Sequence, residues 1–461
     1  MITSDAMPRG PRRFHHAMPC LVLLCLAWLL FDALQQLSFV QGFGWSGHMA
    51  TQRQVTRRSA QKGQQTPGEQ DDADDKAKVK KLTLRMKKAQ SAKELMDVLD
   101  ETMGGPIFDF IHASAAYTQL VTLNRRKCLE QTDWESPVVL RLHARVEDMA
   151  LQGQLNAQAS ANVLWSLARL SDRFSIPTQL LAALVKSVPT KVKDMNAQGI
   201  SNIFWASAKA KDVAPVMLDM VPAIAAEIPK DMDAQGVSNC LWASAQLKDV
   251  APDVLEAVPA IVTQIPGKAK DMIPQHLSNC LFACAQLKDE VPKVLDIIPA
   301  IVGEIPVKLP DMNPQQLANS LEALVLLRDA VPQVEGFLAA GGGIDDILRA
   351  AAVRLNTSVP GLRGKDLSMA VPVVVWACAK AGVYDGGLLS SVVSRLGSKT
   401  ALLSVRGFNL CALSWSYQVL VDARDDFTDF RKLLLTEATR KGFSEADVQS
   451  CQLGRFQWNR A

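Results

Sequence analysis

Residues 196–306 state one sentence nearly three times: NAQGISNIFWASAKAKDVAPVMLDMVPAIAAEIPKDM, then DAQGVSNCLWASAQLKDVAPDVLEAVPAIVTQIPGKAKDM, then IPQHLSNCLFACAQLKDEVPKVLDIIPAIVGEIP. A unit this short cannot bury its apolar surface alone, so a sustained period of 37–40 residues restricts the chain to stacked copies. An aromatic anchor falls at Trp165, Trp205, Trp242 and Phe282, and the next copy has Glu322 there. Three residues before each stands an asparagine: Asn162, Asn202, Asn239, Asn279 and Asn319. The one period of 37 has a local cause: the loop from Pro229 to Asp231 is three residues shorter than its counterparts.

Each copy reads as two helices. The first, from about Ala197 to Lys211, is dense in alanine and serine, which let neighbouring helices approach while the tryptophan fills the space between layers. Asn196 and Asp233 suit its N-cap. The second helix opens at Pro215, Pro252 or Pro292, a position that tolerates proline's missing N–H. Further prolines follow at seven-residue steps (Pro222, Pro259, Pro299, then Pro229, Pro266, Pro306). The middle one is expected to bend the helix and the last to close it. Strand-like alternation is scarce. The expected fold is all-α: a right-handed α-solenoid of tandem helix-turn-helix repeats.

Residues 1–68 read as a bipartite targeting leader. Arg9, Arg12 and Arg13 precede an apolar run over 18–31, short for a membrane span and suited to a signal core. Residues 33–68 hold no acid but carry Arg53, Arg57, Arg58 and Lys62 among hydroxyl and amide side chains, as transit peptides do. With Phe39–Val40 just after the run, the leader looks like that of proteins sent to complex plastids. A mitochondrial leader and an uncleaved signal anchor, with membrane contact through the leader alone, are the alternatives. Residues 1–62 carry a net +5 and the whole chain +3, so the basic character belongs to the leader and does not argue for nucleic acid.

Residues 69–92, acidic then basic, read as a charged linker. The array is expected over 93–340, with 111–123 as a divergent opening copy. A glycine break follows at 341–343, then degenerate repeats around Trp376 and Trp415 and a carboxyl-terminal cap over 344–461.

The pattern seen as VSNCLWASAQLKD and ANVLWSLARLSD resembles the helical repeats of organellar RNA-metabolism proteins. These are the octotricopeptide-repeat proteins of algal plastids, the FAST-kinase-like mitochondrial proteins and the related domain of RNA-editing substrate-binding complex subunit 6. The resemblance spans roughly 111–420. It implies a non-catalytic RNA-binding factor in organellar RNA processing, stability, editing or translation, with organellar RNA as partner. A protein-interaction scaffold of the armadillo or HEAT kind is the alternative, since a helical array serves peptides equally.

No P-loop, GxSxG, HExxH or dinucleotide fingerprint occurs, so no enzyme, cofactor or small-molecule substrate is expected. Cys280 and Cys284 share a helix face but match Cys240 and Ser207 of other copies, so they read as packing residues and no metal site is expected. The asparagines either pair with base edges or satisfy the packed layers. Lys211, Lys248, Lys288 and Arg328 recur six residues after the anchor, one per copy, as a phosphate track requires. A cation at a helix end also complements the dipole, and each is followed by an aspartate. Four residues after the anchor the chain varies: Arg169, Lys209, Gln246, Gln286 and Leu326. Candidate RNA contacts are therefore Lys209, Lys211, Lys248, Lys288, Arg328, Gln246 and Gln286. Residues 151–335 carry a net −4, so an RNA site needs its cations gathered on one face.

Overall fold

The computed structural model describes residues 67–330, 343–420 and 427–453. The expected leader lies outside these but for its last two residues, as do Gly341, Gly342 and the chain end. Among the described residues every element is helical and there is no strand, as expected. None of these helices is long and apolar enough to cross a membrane.

The first helices of the copies pack side by side in chain order. They are α1 (Pro67–Lys88), α2 (Phe110–Arg125), α3 (Ala157–Leu170), α4 (Ala197–Ala210), α5 (Ala234–Leu247), α6 (Pro274–Leu287), α7 (Pro314–Ala330), α8 (Val371–Ala381) and α9 (Gly407–Leu420). A closing helix, α10 (Thr428–Arg440), packs on α9. Their starts are set locally. Asn156, Asn196 and Asp233 accept from the amides of Ala159, Gly199 and Gly236 at 2.7–2.8 Å. Asn313 accepts from Gln316 N–H, and the Gln316 side chain accepts from Asn313 N–H in return, both at 2.9 Å. Asn196→Ala should therefore cost about 1 kcal/mol in urea denaturation, with no change at the other starts.

Inside the row a helix has neighbours on both sides and a partner behind, so nearly all of it is buried. In α4 this covers Ile200, Ser201, Asn202, Ile203, Phe204, Ala206, Ser207, Ala208 and Ala210. Alanine, serine and cysteine dominate because larger side chains would hold the helices apart.

The stretch 69–92, expected as a linker, is instead helical. α1 packs on α2 through buried Leu82 and Met86, four apart, and its Val79 carbonyl lies 3.1 Å from His112 Nε2. Ser91 then caps Ala92–Thr102. The charge alternation hid this narrow apolar stripe.

The second helices form another row, through Ala92–Thr102, Pro137–Leu151, Thr178–Ser187, Pro215–Met220 and Val221–Ala225, Val254–Val262, and Pro292–Ile297. In two copies the expected bend is a change of helix type, whereas in the third the helix opens at Val254 rather than Pro252 and carries Pro259 inside the α-helix Val254–Val262. Pro215–Met220 and Pro292–Ile297 are 3-10 turns, and Pro222 and Pro299 sit in the first turn of the α-helices that follow. Val221 N–H bonds to Leu218 O and Ile298 N–H to Leu295 O, which strips the carbonyls of Met217 and Val294 of an α-helical donor. The facing first helix supplies one: Ser207 Oγ to Met217 O at 3.4 Å and Cys284 Sγ to Val294 O at 3.3 Å. Pro306 does not close its helix, which runs Ile298–Lys308. Proline removes its own donor only, and Leu309 N–H still reaches Ile305 O.

Of the expected glycine break, Gly343 opens the helix Gly343–Ser358 at φ +79°, an angle that glycine takes without strain. The degenerate copies bury their anchor tryptophans more deeply than the central copies do. Trp376 is wholly enclosed and its Nε1 donates to Cys451 O at 3.0 Å. Asn409 donates to the Ser368 carbonyl at 2.8 Å.

Candidate functional site

The anchors of the central copies form a half-buried row. Trp165, Trp205, Trp242 and Phe282 all keep some exposed surface. The Trp165 and Trp205 ring centroids are 6.5 Å apart at 42°, and those of Trp205 and Trp242 6.3 Å apart at 28°. Trp165 thus leans on Trp205, and Trp205 on Trp242. In the next copy the slot holds Glu322, which is buried, so the aromatic row stops at Phe282.

One turn along, on the same helix faces, come the variable residues. Arg169 is exposed, and its guanidinium carbon lies 5.6 Å from the Trp165 centroid and 5.5 Å from that of Trp205. It is a cation shared by two aromatic faces. Lys209 Nζ reaches back to Asp172 at 2.7 Å, and Gln246 and Gln286 are half-buried. Arg169 stands in the variable slot read from the sequence but not among the candidate RNA contacts, although its signal was there: a cation four residues after one anchor.

The cations six residues after the anchor are engaged within the protein. Lys211 and Lys288 pair with Asp212 and Asp289 at 2.9 and 2.6 Å, and Arg328 with Asp329 at 3.5 Å. Lys248 crosses to the next copy, donating to Gln286 O at 2.8 Å and to Glu290 at 2.6 Å. Arg328 likewise donates to Lys380 O at 3.2 Å. Two of the four rungs therefore tie one copy's helix end to carbonyls at the end of the next, where the dipole favours a cation. Their side chains are only 17–24% exposed.

Two of the five asparagines of the ladder are turned inward. Asn162 and Asn202 are buried, and Asn162 Nδ2 donates to Ser114 Oγ of the preceding copy at 2.9 Å. Asn239, Asn279 and Asn319 are half-buried, and Asn319 Oδ1 accepts from Gln315 at 2.8 Å.

Burial pushes the Cys280 thiol up to about 12 and raises those of Cys240 and Cys284 well above the ordinary thiol value, so none is a thiolate near neutrality. Among the described residues no cluster of three or more potential metal-ligating side chains occurs. His143 is buried, with Nδ1 2.6 Å from Tyr117 Oη, and His276 sits in the first turn of α6; burial lowers both to about 4. No protein-family model matches the chain, and no curated protein matches it.

Proposed function

We propose that the row of first helices is a right-handed α-solenoid that binds single-stranded RNA along its aromatic edge, as a non-catalytic factor in organellar RNA metabolism. The observation that carries this is the half-open row Trp165–Trp205–Trp242–Phe282, with Arg169 poised between two indoles. Base stacking on aromatic faces is worth about 1–3 kcal/mol per base and tolerates any base. Arg169, Lys209, Gln246 and Gln286 then supply one polar contact per copy beside the rings. The resemblance of the repeat to organellar RNA-metabolism proteins and the leader-like 1–68 support the same reading and point to a plastid.

In this reading RNA meets the residues one turn after the anchors, and Lys248 and Arg328 serve mainly as ties between copies. The net −4 over 151–335 favours the second reading, a protein-interaction scaffold of the armadillo or HEAT kind. Fluorescence anisotropy with a labelled single-stranded RNA pool separates them. The double variant Arg169→Glu, Lys209→Glu should weaken binding by at least about tenfold, the scale of one lost charged contact, and Lys211→Gln, Lys288→Gln by less than about threefold. A wild-type protein that does not bind RNA, or a double variant that binds as well, overturns the RNA reading.

A further inference from the structure

The aromatic row is not the same along its length. Across Trp165 and Trp205 a flat cation already sits: the Arg169 guanidinium carbon is 5.6 and 5.5 Å from the two ring centroids. The next pair, Trp205 and Trp242, is set much alike, with centroids 6.3 Å apart against 6.5 Å and rings more nearly parallel, at 28° against 42°. The residue in register with Arg169 there is Lys209, and its ammonium is drawn back to Asp172 at 2.7 Å. For Trp242 and Phe282 the residue in register is Gln246, an uncharged amide. After Phe282 the anchor slot holds the buried Glu322 and the row ends.

Charge is uneven along the row as well. Burial lowers the Arg169 pKa, and the like charge of Arg125, the last residue of α2, lowers it further, while Asp172 opposes both. Arg125 is exposed. The amino end of the row therefore gathers Arg125, Arg169 and Lys209 around the carboxylate of Asp172, whereas the slots at the other end, Gln246 and Gln286, are uncharged.

We propose that Arg169 is the end-stop of the RNA track: it occupies the first aromatic pair itself, so that bases stack only on the pairs Trp205–Trp242 and Trp242–Phe282, and it meets the phosphate ahead of the first stacked base. This inference rests on the RNA reading and sets its register. A guanidinium serves both purposes, because its flat face lies on aromatic rings while the N–H groups at its edge suit a phosphate. The ligand is then a short single-stranded segment held at one place, rather than a strand that coats every copy.

The test uses the full chain and unlabelled oligouridylates of increasing length, competing against the labelled RNA pool. In the wild type each added nucleotide should tighten binding by at least about fivefold up to about three nucleotides, and by less than about twofold beyond. In Arg169→Ala the shortest oligomers should bind at least about fivefold more weakly, for want of the phosphate contact. The levelling-off should then come about one nucleotide later, because the pair Trp165–Trp205 is open to a base. Arg169 is exposed, so circular dichroism should show an unchanged helix content. A merely structural role for Arg169 would shift all affinities together and leave the levelling-off in place, and that result overturns the proposal. A wild-type affinity that keeps climbing to the longest oligomer overturns it too. In both of those cases RNA still binds and the RNA reading stands, whereas a wild type that binds no oligomer removes that reading and this inference with it.

Discussion

Trp376→Ala is expected to destabilise the carboxyl-terminal copies by about 4 kcal/mol, the largest single effect that the fold predicts. The indole of Trp376 has no exposed surface. Its removal leaves a cavity between helices that cannot collapse, and it strips the Cys451 carbonyl of the Nε1 donor at 3.0 Å. That bond joins α8 to the chain seventy-five residues on, so its loss should loosen the last copies together. Stacked units melt locally, so hydrogen exchange is the right measurement. Protection should fall across α8, α9 and α10 while α3 to α5 keep theirs. Trp205→Ala, at a half-buried position, should cost about 2 kcal/mol. A uniform loss of protection, or a Trp376→Ala effect below about 1 kcal/mol, would contradict this account.

Acid is expected to weaken the amino-terminal copies through His143. Its pKa is lowered to about 4 by burial among Tyr117, Trp134 and their neighbours, against 6.5 for an ordinary histidine. Above pH 6.5 the ring is neutral in both folded and unfolded chains and adds no pH dependence. Between 6.5 and 4 only the unfolded chain takes up the proton, so stability falls as pH falls, by about 3 kcal/mol over the window. His143→Gln removes the titrating group while keeping an amide for the Tyr117 hydroxyl. Urea denaturation at several pH values should show a shallower slope in the variant within that window. Parallel curves would mean that His143 is already solvated in the fold.

The row of first helices was legible in the sequence because its signals repeat. Asn196 and Asp233 sit at the cap position, small residues follow the anchor, and the interval from Trp165 to Phe282 is nearly constant. Where the chain repeats less, less was legible. In α1, Leu82 and Met86 are masked by lysines on both sides, so a packed helix reads as a solvated linker. The prolines announced a disturbance in the second helices but not its form. The 3-10 turns are matched by donors to the carbonyls of Met217 and Val294, and those donors, Ser207 and Cys284, lie on another helix. The cation ladder shows the same limit. Asp212 beside Lys211 is visible in the chain, whereas the reach of Lys248 to Gln286 O and Glu290 is a fact of stacking. Arg169 gains its interest only once the helix bearing Trp205 lies alongside.

The nearest-neighbour order of the helices bears on how such a chain arises. α4 packs extensively on α3 and α5, α5 on α4 and α6, and the same contacts recur at each junction. A copied or deleted segment of one period leaves two compatible faces to meet, so the gene can grow or shrink in whole units with little penalty. SNCLWASAQLKD, from α5 into the loop after it, and SNCLFACAQLKD, from α6 into its own, are nearly identical, so their packed faces are interchangeable. The loop at Pro229–Asp231 that is three residues shorter than its counterparts falls at such a seam, where a difference in length leaves both packed faces intact.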